Sequence, residues 1–171
     1  MMKQIQSSRT HREAQSKAAL GDILHTRRLM IRPVEAADLD GILEGLSDFD
    51  VARMVEGASL PFLRPDAIDW LNSLPMDGRD GWAYVLVDGS KRVIGLVSFK
   101  TGKASWALQH WLNRSHWGQG FMGEGLQALL AAFFSEHSNA TVRADVYADD
   151  VPALQLQQKL GFKLIGCTET Y

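Results

Sequence analysis

The sequence predicts a mixed α/β fold in which a mostly antiparallel sheet is flanked by helices. Three observations predict it. From Trp82 to Asn113, hydrophobic residues alternate along three segments that are joined by short connections, which is typical of an antiparallel meander. Segments with helical periodicity stand before and after this meander. Further strand-like segments follow, and this order favours one mixed sheet with helices on its faces.

The elements before the meander are one strand and several helices. RRLMIRPV has the alternation of a strand and ends at Pro33. In EAADLDGILEGL, the leucines and the isoleucine fall on one face of an amphipathic helix. RPDAIDWLNSL repeats this pattern with Pro65 in the first turn, a position that proline favours.

The elements after the meander alternate between helix and strand. The apolar positions that recur at helical spacing predict a helix of about four turns; they are Met122, Leu126, Leu129, Leu130 and Phe133. TVRADVY alternates as a strand. DDVPALQLQQKLG predicts a helix that Asp149 or Asp150 caps and that ends at Gly161. FKLIGC is the last predicted strand.

Length and composition predict one domain preceded by an extension. The chain has 171 residues, a formal net charge of -2 and a single cysteine, Cys167. We predict one domain over residues 23–171 and, over residues 1–22, an extension that is flexible or loosely helical. The balanced charge gives no reason to expect a nucleic acid as partner. Because no apolar run is long enough to span a bilayer, we expect a soluble, cytoplasmic protein with no membrane partner.

Glycines cluster between the meander and the helix that follows it. Gly118, Gly120 and Gly123 match the G-x-G-x-x-G spacing of dinucleotide-binding folds. That fold requires a βαβ unit with further parallel strands, whereas here an antiparallel meander comes first and little chain follows. The free N–H groups and the dipole at the start of the helix still favour an anion. We therefore predict a phosphate-binding turn, with close packing of helix on sheet as the alternative.

Three stretches together resemble the GNAT superfamily of N-acetyltransferases, within it the branch that acetylates the N-termini of ribosomal proteins. HTRRLMIRP resembles the opening strand, HWLNRSHWGQGFMGEGLQALLAAFF the central strand, phosphate turn and helix, and ALQLQQKLGFKLIG the closing helix and strand. The resemblance covers Ile23 to Cys167. It implies an acyltransferase that moves an acetyl group from the cosubstrate acetyl-CoA to a primary amine by direct attack on the thioester, without a metal.

The resemblance also implies two sets of cofactor contacts. At the end of the central strand, the backbone of Trp111, Leu112 and Asn113 meets the pantetheine arm and thioester. In the turn, backbone N–H groups hold the pyrophosphate, and the residues of this turn are Trp117, Gly118, Gln119, Gly120, Phe121, Met122 and Gly123. Trp117 and Met122 replace the superfamily's usual residues at their positions, but backbone contacts depend little on the side chain.

The closing part departs from the family pattern. Asp150 and Ala153 stand where the branch favours Asn and Ser, and Gln157 stands where other members have a tyrosine acid. The sequence stops at Tyr171, after the strand that leads to the family's final strand, so we expect that strand to be missing. A truncation, a partner or an altered topology would account for the gap. The missing hydroxyls also motivate an alternative function, a catalytically silent acyl-CoA-binding or regulatory module.

Acetyl transfer needs a proton acceptor, and three residues are catalytic candidates. His110 titrates in the right range and lies on the central strand. Tyr147 and Asp150 stand at the end of the following strand. Two of them have structural alternatives: His110 as a core histidine satisfied by a hydrogen bond, and Asp150 as a helix cap.

The acceptor is the least specified part of the prediction. By the resemblance, residues 38–74 supply the acceptor-side loops. Asp48, Asp50 and Glu56 in this region attract a cationic amine or are simply solvated. We expect the acceptor to be a small molecule or a protein N-terminus, and a homodimer is possible.

Overall fold

A computed structural model describes residues 2–7, 20–76 and 78–168. The strands are β1 Met2–Ser7, β2 Leu24–His25, β3 Met30–Pro33, β4 Gly81–Val87, β5 Val93–Lys100, β6 Trp106–Leu112, β7 Val142–Tyr147 and β8 Lys163–Thr168. The helices are α1 Leu39–Leu46, α2 Phe49–Ala52, α3 Arg64–Ser73, α4 Phe121–Glu136 and α5 Val151–Lys159, with short 3-10 turns at Ala36–Asp38 and Arg114–His116. None of these described helices is long and apolar enough to cross a bilayer.

All strands belong to one sheet with the order β2-β3-β4-β5-β6-β7-β1-β8. Neighbouring strands are antiparallel except β6 and β7, which are parallel. The predicted mixed, mostly antiparallel fold is therefore confirmed, including the meander of β4, β5 and β6.

The parallel pair is short. β6 pairs with β7 only from Trp106 to Leu108, opposite Val142 to Ala144. Beyond this point β6 continues along β5, and β7 continues along β1. The two central strands thus separate toward their carboxyl ends and leave a V-shaped opening in the sheet.

Helices cover both faces of the sheet. On one face, α4 and α5 build the larger core, in which the rings of Phe99 and Phe133 stack with centroids 4.8 Å apart. On the other face, α1 and α3 pack against the meander through Ile42, Leu46 and Trp70. Apolar burial on both faces holds the sheet and the two helical layers together.

The strand β1 comes from the N-terminus of the chain and lies between β7 and β8. It is antiparallel to both, with Met2 opposite Tyr147 and Lys3 opposite Cys167. Ile5 is 1% exposed and packs in the core beneath α4 and α5. β1 therefore takes the place of the strand that we expected to be missing after β8. Of the three explanations for that gap, this arrangement is the altered topology.

This strand corrects our expectation for residues 1–22. Met2–Ser7 is not a loosely helical extension but an interior strand of the sheet, between β7 and β8; residues 1 and 8–19 lie outside the described residues. The physical reason is a long-range one. Both β7 and β8 have backbone N–H and C=O groups that need partners on the side where the two strands face each other, and a strand between them hydrogen-bonds to both. The predicted start of the domain at residue 23 therefore leaves out β1, which belongs to the same sheet.

Replacing Ile5 tests whether β1 stabilises the fold. We expect Ile5→Ala to lower the free energy of unfolding by about 3 kcal/mol, because a fully buried isoleucine leaves a cavity. Gln6→Ala on the same strand removes no buried apolar side chain and should cost less than about 0.5 kcal/mol. Urea unfolding of the full chain measures both. Equal, small losses for the two variants would contradict the placement of β1 in the core.

Candidate active site

The glycine-rich turn lies between the end of β6 and the start of α4. Gly118 and Gly120 have φ angles of +71° and +79°, in the left-handed region that glycine adopts without a Cβ penalty. A Cβ built on Gly118 would meet no heavy atom within 4 Å, so this part of the turn faces open space. The turn therefore has room for a group that approaches its backbone.

The start of α4 supplies the hydrogen-bond donors. The first bond of the helix runs from the Glu124 N–H to the Gly120 carbonyl at 3.0 Å. The N–H groups of Phe121, Met122 and Gly123 precede it and have no acceptor within the helix. Together with the positive end of the helix dipole, they form a site that suits a phosphate.

Arg28, from the connection between β2 and β3, holds this turn in place. Its Nε lies 2.7 Å from Glu124 Oε2, and its Nη1 donates to the Gln119 carbonyl at 2.8 Å. The guanidinium also lies over the Phe121 ring, 4.2 Å from the centroid. Sequence reasoning missed Arg28, because no local pattern connects it to a glutamate 96 residues away.

Glu124 is thereby neutralised beside the predicted phosphate site. Burial alone would raise its pKa, but hydrogen bonds from the Thr26 hydroxyl and from Arg28 outweigh burial and leave the pKa below its ordinary value. Glu124 therefore serves to anchor Arg28. An unpaired carboxylate at this position would repel a phosphate, and the ion pair reduces that repulsion.

The remaining predicted residues of the turn divide between exposed and packed positions. Gln119 is exposed and its amide donates to the Ser115 carbonyl at 2.9 Å. Met122 is buried in the core under α4. A Cβ on Gly123 would lie 3.3 Å from Leu156 Cδ1 of α5, so close helix packing explains this glycine. The turn geometry explains Gly118 and Gly120, and the packing alternative explains Gly123.

The end of β6 exposes only some of its backbone to the V-shaped opening. The Asn113 N–H donates to the Ile94 carbonyl at 2.7 Å, so Asn113 bonds toward β5. Hydrogen-bonded pairs alternate along an antiparallel ladder, so Trp111 also bonds toward β5, whereas the backbones of His110 and Leu112 face the opening. Of the three predicted pantetheine contacts, Leu112 is the one whose backbone is directed there.

Trp117 ties the turn back to this strand. Its indole Nε1–H donates to the Leu112 carbonyl at 2.7 Å, while the ring remains 45% exposed. That carbonyl therefore already accepts one hydrogen bond and has one lone pair left. The side chain of Trp111 packs on the opposite face, beneath Gly45, where a Cβ would lie 2.4 Å from the indole.

His110 projects from β6 toward α5. Its Nε2 lies 2.8 Å from the amide nitrogen of Gln157, a residue with no exposed surface. Burial lowers the pKa of His110 to about 4, so the imidazole is neutral at pH 7 and accepts a hydrogen bond from the amide. A base with such a low pKa takes up a proton poorly near neutral pH. This geometry favours the alternative of a core histidine satisfied by a hydrogen bond.

Tyr147 and Asp150 lie at the carboxyl end of β7. Tyr147 is half-buried and lines a cavity beside the opening, and no described residue hydrogen-bonds its hydroxyl. Asp150 caps α5, accepting from the Ala153 N–H at 3.1 Å. The pKa of Asp150 is raised, because burial and the neighbouring Asp149 carboxylate outweigh the hydrogen bond from Ala153, which alone would lower it. Its capping role is thus observed, while Tyr147 has no structural partner that competes for its hydroxyl.

A cavity of about 930 Å³ lies on the face of the sheet that α3 covers. Its walls come from α3, the loop after α2, the hairpin between β5 and β6, the strand β7 and the strand β1. One lining residue from each wall, in the same order, is Trp70, Glu56, Lys103, Tyr147 and Met2. The cavity reaches His110 and Asp150 at the opening, opposite the side on which the glycine turn lies. The arrangement can bring two reactants to the gap from the two faces of the sheet.

The acidic residues predicted to attract an amine have other roles, with one exception. Asp48 caps α2 by accepting from the Asp50 N–H at 2.9 Å. Asp50 lies 2.7 Å from Arg114, in an ion pair with the residue that follows Asn113. Glu56 lines the cavity and forms no ion pair with a described residue. Of the three acidic residues predicted to attract an amine, two are therefore engaged in structural contacts, and only Glu56 lines the cavity without an ion pair to a described residue.

These ion pairs extend across the opening. Arg53, just after α2, lies 3.9 Å from Asp50 and 2.9 Å from Asp149 of the connection between β7 and α5. Through Asp50 and Arg114 the same network reaches the end of β6. The segment around α2 is therefore linked to both sides of the V-shaped opening.

Comparison with known proteins agrees with this fold. The acetyltransferase (GNAT) domain family matches residues 28–163, which is most of the chain. This range contains the glycine turn, β6 and β7, but not β1. The chain belongs to this family and is an acetyltransferase, as the sequence predicts.

Relatives and solved structures give the same result. The chain is 28% identical over 159 residues to the uncharacterized N-acetyltransferase p20 of Bacillus licheniformis, covering 88% of this chain and 87% of that protein. An acetyltransferase of the GNAT family from Bacillus anthracis superposes with a TM-score of 0.70 at 22% identity, over 82% of each chain. A ribosomal-protein alanine acetyltransferase from Vibrio fischeri superposes with a TM-score of 0.68 at 14% identity, over 83% of each chain. At such identities the superpositions show the fold alone.

The pKa of His110 gives a prediction for stability against pH. Because its folded pKa of about 4 lies below the unfolded value of 6.5, the unfolded chain binds the proton first as the pH falls. Stability from the neutral imidazole is present above pH 6.5 and is lost as the pH falls toward 4. Between pH 7 and pH 4.5 we expect the wild type to lose about 2 kcal/mol more than His110→Asn, which does not titrate. Urea unfolding at both pH values measures the difference, and parallel losses in the two proteins would show that His110 is not buried in its neutral form.

Proposed function

We propose that this chain transfers an acetyl group from acetyl-CoA to a primary amine, by direct attack of the amine on the thioester. The observation that carries the proposal is the pairing of an open glycine turn at the start of α4 with the separation of β6 and β7 beside it. Membership of the family supports acetyl-CoA as the cosubstrate.

The chain offers backbone groups that suit two parts of this cosubstrate, the pyrophosphate and the pantetheine arm. The N–H groups of Phe121, Met122 and Gly123 would hold the pyrophosphate, with the backbone of the turn from Trp117 to Gly120 around it. The backbone of Leu112 and of His110 would bind the pantetheine arm in the opening. When bound, acetyl-CoA supplies an activated acetyl thioester. The chain's own contribution is to orient that group toward the cavity.

The acceptor enters from the cavity on the other face. Its amine must be neutral to attack, which is easier for an α-amine with a pKa near 8 than for a lysine near 10.4. The Tyr147 hydroxyl faces this cavity without a described partner, so we propose it as the group that exchanges a proton at the opening. Asp150 lies nearby as the cap of α5. The hydrogen bond between the side chains of His110 and Gln157 fixes the end of β6, so that the backbone of His110 faces the gap.

We propose as acceptor a primary amine of a small molecule or of a protein N-terminus, the latter as in the branch that acetylates ribosomal proteins. The cavity supports the small molecule, because α3, the hairpin after β5 and the strand β1 wall it on several sides. A chain terminus would have to thread between these walls.

Ligand binding tests the cosubstrate. A ligand that binds only the native state raises its stability, so acetyl-CoA and CoA should raise the melting temperature and NAD should not. Gln119→Glu places a negative charge at the turn and should weaken acetyl-CoA binding about tenfold, roughly 1.4 kcal/mol. Gln127→Glu, on the exposed face of α4, is the matched control and should bind normally. Equal protection by NAD, or none by acetyl-CoA, would refute the proposed site.

Turnover tests the chemistry. We expect Tyr147→Phe to lower kcat about a hundredfold across a panel of primary amines, with the Kd for acetyl-CoA unchanged, because only the hydroxyl is lost. Asp150→Asn keeps a capping side chain and should lower kcat less. Acetyl-CoA binding with no acetylation of any amine would instead favour the catalytically silent acyl-CoA-binding module.

A further inference from the structure

We infer that the acceptor carries an anionic group several bonds from its amine, and that Lys100, Lys103 and Arg143 bind that group on the cavity wall formed by β5, its hairpin and β7. The inference rests on the proposed function, since it concerns the acceptor of the same transfer. It names a substrate class that the fold alone does not specify.

The sheet register brings two of these cations to one place. Lys100 of β5 is paired with Ala107 of β6, and Ala107 is paired with Arg143 of β7. Paired residues on neighbouring strands direct their side chains to the same face and lie about 4.8 Å apart. Lys100 and Arg143 therefore flank a single methyl group, and both line the cavity. Lys103, in the hairpin that follows β5, lines the same end.

These cations have no carboxylate partner among the described residues. Arg143 donates to the Gln4 amide oxygen of β1, which leaves most of its five N–H donors for another acceptor. Among the other described arginines, five bind carboxylates: Arg28, Arg32, Arg53, Arg64 and Arg114. Arg143 is half-buried and both lysines are exposed, so an anion that met them would neutralise like charges that the described residues leave unpaired.

Three acidic residues line the cavity from the side across from the sheet. Glu56, Asp66 and Asp69 line it from the loop after α2 and from α3, across from the sheet. Asp145 follows Arg143 on the same face of β7 but forms no ion pair with it, and Asp150 lies at the opening. The cavity thus has unpaired cations on the wall formed by β5, its hairpin and β7, with Asp145 beside them, and carboxylates on the wall across from the sheet. Such a division suits a molecule with an anion at one end and an amine at the other.

The distance between the two ends defines the acceptor further. Ala107 precedes His110 by three residues on β6, which corresponds to about 10 Å along the strand. The anion and the amine must therefore be separated by several bonds, as in an ω-amino acid, rather than sit on one carbon atom.

Three amines of equal length test this inference: 6-aminohexanoate, n-hexylamine and 1,6-diaminohexane. We expect kcat/KM for 6-aminohexanoate to exceed that for the other two at least tenfold, after allowing for the fraction of neutral amine. Arg143→Gln and Lys100→Gln should each reduce this preference at least threefold while leaving the KM for acetyl-CoA unchanged. Lys159→Gln, an exposed lysine at the end of α5, is the control and should keep the preference. Lys100 is exposed on β5, so its replacement remains informative if Arg143→Gln does not fold.

Equilibrium binding keeps this test separate from that of the proposed function. With saturating CoA, the same three amines are titrated against the wild type and Lys100→Gln, and their affinities are compared by NMR. Tighter binding of 6-aminohexanoate that Lys100→Gln removes would support the anion site even without turnover. Equal or tighter binding of hexylamine or of the diamine would overturn it. Failure of acetyl-CoA itself to bind would refute the proposed function and leave the amine affinities to decide the anion site.

Discussion

The separation of β6 and β7 is the constraint on which the site depends. Two parallel strands that pair over only three residues must each find hydrogen-bond partners on their other side. β6 has them along its whole length in β5, and β7 has them in β1 from Met2 to Ser7. The opening is therefore stabilised from outside, by an N-terminal strand that pairs in addition with β8. Without β1, β7 would be an exposed edge beside the opening, and β8 would lose the strand with which it pairs.

The opening is useful because elements from both faces meet there. The start of α4 brings its free N–H groups to one side, and the Arg28–Glu124 pair fixes the turn that precedes it. Trp117 bonds to Leu112 and so couples the position of the turn to the end of β6. From the other face, the cavity reaches the same gap. The geometry thus gives a separate approach to the gap from each face of the sheet, as the proposed transfer between two reactants requires.

The sequence predicts the parts of this arrangement that depend on local patterns. The meander, α4, the glycine turn and the Asp150 cap follow from periodicity, φ preferences and capping chemistry, all within a few residues. The place of β1, the Arg28–Glu124 pair and the contact between His110 and Gln157 join residues 47 or more positions apart, and no local pattern encodes them. The direction of the backbone hydrogen-bonding groups also cannot be predicted from the sequence. Nothing in the sequence distinguishes Trp111 from Leu112 in this respect, but in the ladder with β5 only the backbone of Leu112 is directed toward the opening.

The charges around the opening fall into two groups, and the difference between them has a physical meaning. Asp50, Arg53, Arg114 and Asp149 pair with one another across the gap, so they tie α2 to β6 and to the start of α5. Exposed pairs of this kind contribute little stability each, and their effect is mainly to fix where the segment lies. Lys100, Lys103 and Arg143 in the cavity have no carboxylate partner among the described residues. Charges that stay unpaired within a cavity, which here include Glu56 as well as these cations, are available to groups of opposite charge on a ligand, and an acceptor with both an anion and an amine can satisfy both kinds.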